Sequence, residues 1–127
     1  TLNILNNNAY KAGDIVICGT RGWSYDCPMS EIKILNREVG RLRMSLEEGI
    51  KLEGEPVVFL HYPPVFGDYV CEPIMDTLKE YGIKRCYYGH LHGASIGKAV
   101  TGDYEGIRFR LVSCDGNSFA PALVDNA

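Results

Sequence analysis

Three apolar runs alternate with two amphipathic stretches, and this alternation constrains the fold more than any other feature. Asp14-Ile15-Val16-Ile17-Cys18, Pro56-Val57-Val58-Phe59-Leu60 and Ile83-Lys84-Arg85-Cys86-Tyr87-Tyr88 are short, rich in β-branched or aromatic residues, and bounded by Gly or Pro. They read as strands. Between the first two, Ile32, Leu35, Val39, Leu42, Leu46 and Ile50 recur at spacings of three and four, the mark of a helix with one apolar face. Ser30 is placed to cap it, Glu31 suits its first turn, and Gly54 is its expected stop. Its other side should be solvated, with Arg43–Glu47 and Glu47–Lys51 pairs. Gly40 and Gly49 each cost it about 1 kcal/mol against Ala, which close packing onto a sheet would explain. Between the second and third runs, Pro73 opens a helix whose inner face is Ile74, Leu78 and Tyr81 and which Gly82 ends. Strand, helix, strand, helix, strand implies right-handed crossovers and largely parallel pairing, an α/β fold.

Beyond Gly93 the pattern changes. Residues 95–100 and 107–114 look like two strands, joined by a turn that contains Gly102, Asp103 and Gly106. In the second, Ile107, Phe109 and Leu111 alternate with Arg108, Arg110 and Val112, so one face is buried. An antiparallel hairpin is expected. Residues 115–127 carry little signal, and Asn6-Asn7-Asn8 reads as a turn. No repeat, linker or low-complexity stretch divides the 127 residues, which form one unit, residues 1–127, long enough to bury a sizeable core.

Composition narrows the function. The net charge is −3, with 46% hydrophobic and 23% charged residues, ordinary for a soluble globular protein. The absence of a basic run argues against binding nucleic acid through surface charge. No apolar run is long enough to cross a membrane. Five cysteines, none spaced Cys-x-x-Cys, read as reduced, which points to the cytoplasm. Neither Gly-x-Gly-x-x-Gly nor a P-loop is present.

The chemistry sits in the three histidines. His61 follows the second apolar run directly, in Leu60-His61-Tyr62-Pro63-Pro64. His90 and His92 follow the third, in Gly89-His90-Leu91-His92-Gly93. If these strands are neighbours, all three imidazoles reach the carboxyl edge of one sheet, where open α/β folds bind ligands. Neutral imidazoles there are good ligands for divalent metals. The loop Gly19-Thr20-Arg21-Gly22-Trp23 leaves the first strand. It reads as a tight turn capped by a packed Trp; a sharper reading sets Arg21 or Trp23 at the rim of a site.

The two histidine blocks, Val57 to Pro64 and Gly89-His90-Leu91-His92, resemble the last two signature blocks of the calcineurin-like metallophosphoesterases. The likeness runs from Asp14 to about Cys114, and the Gly19–Trp23 loop before a long charged helix is similar to a bacterial phosphohydrolase branch of that family. The resemblance implies an αββα sandwich and hydrolysis of phosphate esters, small-molecule or nucleotide, at two divalent ions such as Mn, Fe or Zn. By family pattern His61 and His90 ligate one ion and His92 the other, and a hydroxide bridging them attacks phosphorus in line. Tyr62 stands where many relatives have a second His, which by the resemblance sets it, with Arg21 and Trp23, at the rim of the substrate site. The family's Asp-x-His, Gly-Asp-x-x-Asp and Gly-Asn-His blocks have no counterpart in this sequence. The chain is therefore expected to be the C-terminal half of such a domain, a reading its Thr1 start suits. It should be inactive alone, with no catalytic residue beyond the metal ligands. Its missing half, a partner or a second copy would have to cover apolar surface. The alternative is a non-catalytic metal-binding or interaction module.

Overall fold

The structure is a computed structural model that describes residues 2–24, 26, 28 and 31–124. It is a mixed α/β fold built on a six-stranded sheet. In chain order the strands are β1 (Ala9–Ala12), β2 (Ile15–Thr20), β3 (Glu55–Leu60), β4 (Val65–Phe66), β5 (Tyr69–Val70), β6 (Arg85–Tyr88), β7 (Gly102–Tyr104) and β8 (Ile107–Leu111). Two helices, α1 (Ile32–Ile50) and α2 (Glu72–Glu80), join β2 to β3 and β5 to β6. The sheet order is β1-β2-β3-β6-β8-β7, and β4 pairs with β5 in a separate small hairpin.

The four central strands, β2, β3, β6 and β8, run parallel. Their last residues are in register: Thr20 beside Leu60, Leu60 beside Tyr88, Tyr88 beside Leu111. Four strand exits therefore open on one edge. Because β2, β3 and β6 follow one another across the sheet in one direction, right-handed crossovers put both helices on the same face. The main core lies there, where Val16, Cys18, Val58, Leu60, Cys86 and Tyr88 meet Leu35, Leu42, Leu46, Ile74 and Leu78. The other face carries a small cluster of Ile15, Val57 and Tyr87, with Ile17, Phe59, Val112 and Val124 partly buried against it.

Local chemistry explains the helix ends. Pro73 lies in the first turn of α2. Gly82 takes φ +67, and the Ile83 N–H donates to Leu78 O at 2.9 Å, a Schellman stop. Ser30, the expected cap of α1, lies outside the described residues; the N-cap position is Glu31, which makes no side-chain cap bond.

The buried stripe of α1 differs from the expected one. Leu35, Leu42 and Leu46 are buried, but so are Glu38, Ser45 and Gly49, while Ile32 and Ile50 face solvent. The helix is rotated so that its small residues meet β2. A Cβ on Gly49 would come within 2.5 Å of Cys18 Sγ, which accounts for this glycine as expected. A Cβ on Gly40 would meet nothing within 4 Å among the described residues, so close packing there does not account for it. Ser45 Oγ accepts the Gly19 N–H at 2.8 Å and donates to Asn8 O at 2.6 Å. The charges of α1 are not a wholly solvated face, since Glu38 is buried. Arg43 pairs with Glu80 at 2.6 Å and Lys51 with Glu48 at 2.8 Å, rather than either with Glu47.

The hairpin after Gly93 is also different. Residues 93–98 form a 3-10 helix, Gly93–Lys98, not a strand. Gly93 turns at φ +58, and Ser95 Oγ accepts the His92 N–H at 3.0 Å while donating to His92 O at 2.7 Å. Such local bonds compete with a strand ladder. The antiparallel hairpin is β7 with β8, closed by Glu105 and Gly106 at φ +49 and +85, the two positive values of a type I′ turn. Gly102 and Asp103 belong to β7. The other side of β8 pairs parallel with β6.

Among the described residues, Cys18, Cys71 and Cys86 are free and buried, and Cys114 is free and exposed. No helix of the described residues is long and apolar enough to cross a membrane.

Candidate metal centre

His61, Gly89-His90 and Arg21 stand at three of the four parallel exits. Gly19, near the end of β2, makes the Arg21 exit possible. It adopts φ +153, and a Cβ there would lie 1.9 Å from Phe59 O, so only glycine lets β2 leave the sheet this close to β3. Arg21 O then accepts the N–H groups of His61 (3.1 Å) and Tyr62 (2.9 Å). The Gly89 N–H is shared between Leu60 O and His61 O, both at 3.2 Å. The exits are thus tied to one another by backbone.

His61 Nε2 lies 3.3 Å from His90 Nδ1. Two bonds of about 2.0–2.1 Å at a tetrahedral angle put their donor atoms about 3.3 Å apart, so the pair is spaced as two ligands of one divalent ion. The Tyr62 ring packs edge-on against both imidazoles, 4.7 Å from His61 and 4.6 Å from His90 between centroids. His90 holds φ +69, and the Leu91 N–H donates to Gly89 O at 2.8 Å across it. A bond from i+2 to i over a positive φ is the rare, strained γ-turn. Strain of this kind persists where the surroundings over-determine it, typically at functional sites. Leu91 is buried in the main core, while the rings of His90 and His92 on either side of it meet His61 and Asp115.

The His61 imidazole is held below its ordinary pKa, first by burial and then by His90, His92 and Arg21. It is therefore neutral near pH 7, the ligating form. Arg21, half exposed, donates from Nη2 to Glu38 Oε1 at 3.0 Å, and Arg41 Nη1 donates to the same oxygen at 2.7 Å. Trp23 is 6% exposed and packs in the core. It is the packed Trp expected to cap the turn.

His92 ring contacts are of another kind. Nδ1 lies 2.7 Å from Asp115 Oδ1, and Asp115 Oδ2 accepts the Gly93 N–H at 2.8 Å. The Asp115 carboxyl is depressed to about 2, chiefly by the Gly93 N–H and then by His92. His92, Asp115 and Cys114 place donor atoms within 4.8 Å of one another. Asp115 is a carboxylate that motif reading missed. The available signal was its position just past a strand, the position of His61 and His90; recognising it required knowing that β8 runs parallel to β6.

A cleft of about 620 Å³ lies elsewhere, lined in part by Arg85, Tyr87, Arg108 and Arg110 and by none of the histidines. Converging donors, not volume, mark the site. No protein-family model matches the chain, and neither a curated protein nor a solved structure matches it significantly.

Proposed function

We propose that this chain carries the histidine side of a two-metal phosphoesterase site, with His61 and His90 on one divalent ion and His92 facing a second. The single observation that carries the reading is the 3.3 Å separation of His61 Nε2 and His90 Nδ1 at the ends of adjacent parallel strands. A divalent ion supplies a water of lowered pKa and stabilises charge on attacking and leaving oxygens. The chain's own residues do the rest. His61 enters neutral because burial and neighbouring cations disfavour its proton. Tyr62 walls both rings. Arg21, fixed by Glu38, offers a planar cation to a phosphate-ester oxygen. The finer fold reading, half of an αββα sandwich, is supported by the placement of both helices on one sheet face and of Ile17, Phe59 and Tyr87 on the other.

A second reading, a metal-binding or interaction module without turnover, is favoured by the donor set. The family's three carboxylate- and Asn-bearing blocks are absent from the sequence. The two readings share the metal and differ in catalysis. Equilibrium dialysis against Zn²⁺ or Mn²⁺ is expected to show binding that H61A and H90A each weaken more than tenfold. Unchanged binding in both variants overturns the site. An aryl phosphate is expected to be turned over negligibly by this chain; robust turnover that EDTA abolishes overturns that expectation.

A further inference from the structure

We propose that Asp115 is a positioning residue for His92: its carboxylate keeps the imidazole proton on Nδ1 and so presents Nε2 to the metal. The inference deepens the metal reading of His92 and rests on it. Asp115 reaches the site because β8 is parallel to β6 and ends level with it, Leu111 beside Tyr88. The Val112 N–H continues the ladder onto Tyr88 O at 2.8 Å, and the chain then turns so that the Asn117 N–H meets Ser113 O at 2.9 Å. Asp115 stands inside that turn. Its carboxylate is gripped on both oxygens. Oδ1 takes the His92 ring at 2.7 Å and the Gly116 N–H at 3.0 Å; Oδ2 takes the Gly93 N–H at 2.8 Å. Gly93 is the next residue to His92, so ring and carboxylate are locked to the same backbone.

An ionised carboxylate only accepts hydrogen bonds. The ring nitrogen it faces must therefore carry a proton, and a neutral imidazole carries one proton. The lone pair is then on Nε2, the atom turned away from Asp115. Carboxylates that hold ligating histidines in this way fix both tautomer and ring direction.

The competing arrangement makes Asp115 and Cys114 ligands beside His92, since their donor atoms also gather within 4.8 Å. Two observations weigh against it. The 2.7 Å contact is a charge-assisted hydrogen-bond length, shorter than the ~3.3 Å between two ligands of a tetrahedral ion. Both carboxylate oxygens, moreover, already accept backbone N–H groups.

The test is a long-range ¹H–¹⁵N correlation spectrum of the metal-free full chain at mildly alkaline pH. His92 is expected as the Nδ1–H tautomer. In D115N the amide offers one acceptor oxygen, which the Gly93 N–H claims, and its NH₂ then donates to Nδ1. The tautomer is expected to switch to Nε2–H, and Zn²⁺ affinity of the His92 ion to fall about 10–100-fold, with the His61–His90 ion unchanged. C114S is expected to change neither. A wild-type Nε2–H tautomer overturns the proposal, as does an unswitched D115N, or a C114S variant that loses as much Zn²⁺ affinity as D115N. The wild-type spectrum needs no variant, so a D115N chain that fails to fold leaves the test in place. If the spectrum shows Nδ1–H and the chain binds no Zn²⁺, the metal reading falls, and the metal-facing role of Nε2 with it.

Discussion

Glu38, fully buried on α1, accepts a 3.0 Å hydrogen bond from Arg21 Nη2, whose own side chain is half exposed beside the histidines. A buried carboxylate in the middle of a helix face is costly unless it is paired. Here one oxygen takes both Arg21 and Arg41, and the other, Oε2, has no hydrogen-bond partner among the described residues. The arrangement ties Arg21, which follows β2, to α1 at some expense of stability. Glu38→Gln is expected to lower stability by about 1–2 kcal/mol, less than a fully buried pair because both arginines can return to water. Urea unfolding checks the value. If Arg21 serves phosphate, the same variant should weaken competition by orthophosphate for the metal-loaded chain. Glu38→Leu should recover much of the lost stability, since an apolar side chain of similar size leaves nothing buried and unpaired, but not the phosphate effect.

Gly49 and Gly40 lie on the same helix and should respond oppositely to alanine. At Gly49 the new methyl meets Cys18 Sγ at 2.5 Å, and overpacking of that kind costs about 1–3 kcal/mol. At Gly40 it meets nothing within 4 Å among the described residues, so alanine should stabilise by up to about 1 kcal/mol through helix propensity. Thermal or urea unfolding of the two variants, with Cys18→Ala combined with Gly49→Ala as the expected rescue, tests the packing of α1 on β2.

Acid should act on the site in two steps. The His61 pKa is lowered in the folded chain, so on acidification the unfolded chain takes up that proton first. His61 therefore contributes stability above the ordinary imidazole pKa of about 6.5, and that contribution is lost as the pH falls below it toward the folded value. Asp115 is depressed to about 2. Its contribution is present above the ordinary carboxylate pKa of about 3.9 and is lost as the pH falls through about 2. Urea midpoints measured across pH 8 to 2 should show the wild-type advantage over His61→Gln shrinking in the first window and the advantage over Asp115→Asn in the second.

Thiol reagents should distinguish the cysteines by depth. Cys114 is exposed, while Cys18, Cys71 and Cys86 are buried. Burial raises all three buried thiols, that of Cys18 to about 11, which removes the reactive thiolate. Mass spectrometry after brief alkylation at pH 8 should find Cys114 modified and those three modified only after denaturation. Added Zn²⁺ should leave the Cys114 rate unchanged, because Asp115 is expected to hold His92 rather than join the thiol as a ligand. Cys27 lies outside the described residues.

Much of this arrangement was legible beforehand because it rests on short-range rules. Strand-sized apolar runs, the 3.6-residue period of α1, the Pro73 start and the Gly82 stop each depend on residues within a turn or two. The positions of His61 and His90 just past their strands needed only the expectation that β3 and β6 are neighbours. The failures are of the opposite kind. The register of α1 about its own axis was misjudged because Glu38 becomes buriable only when Arg21, 17 residues away in sequence, is brought beside it. The 3-10 turn at Gly93–Lys98 looked like a strand because periodicity says nothing of the Ser95 hydroxyl bonding back to His92.

The sequence by itself determined the alternation of strands and helices, the parallel crossovers that follow from it, and the delivery of His61 and His90 to strand exits. Only the tertiary structure decided which groups those histidines meet. It set His61 against His90, placed β8 parallel to β6, and thereby carried Asp115 across 23 residues of chain to His92. The reason is physical: a strand's position past its own end is local information, but its neighbour in the sheet is chosen by burial summed over the whole core.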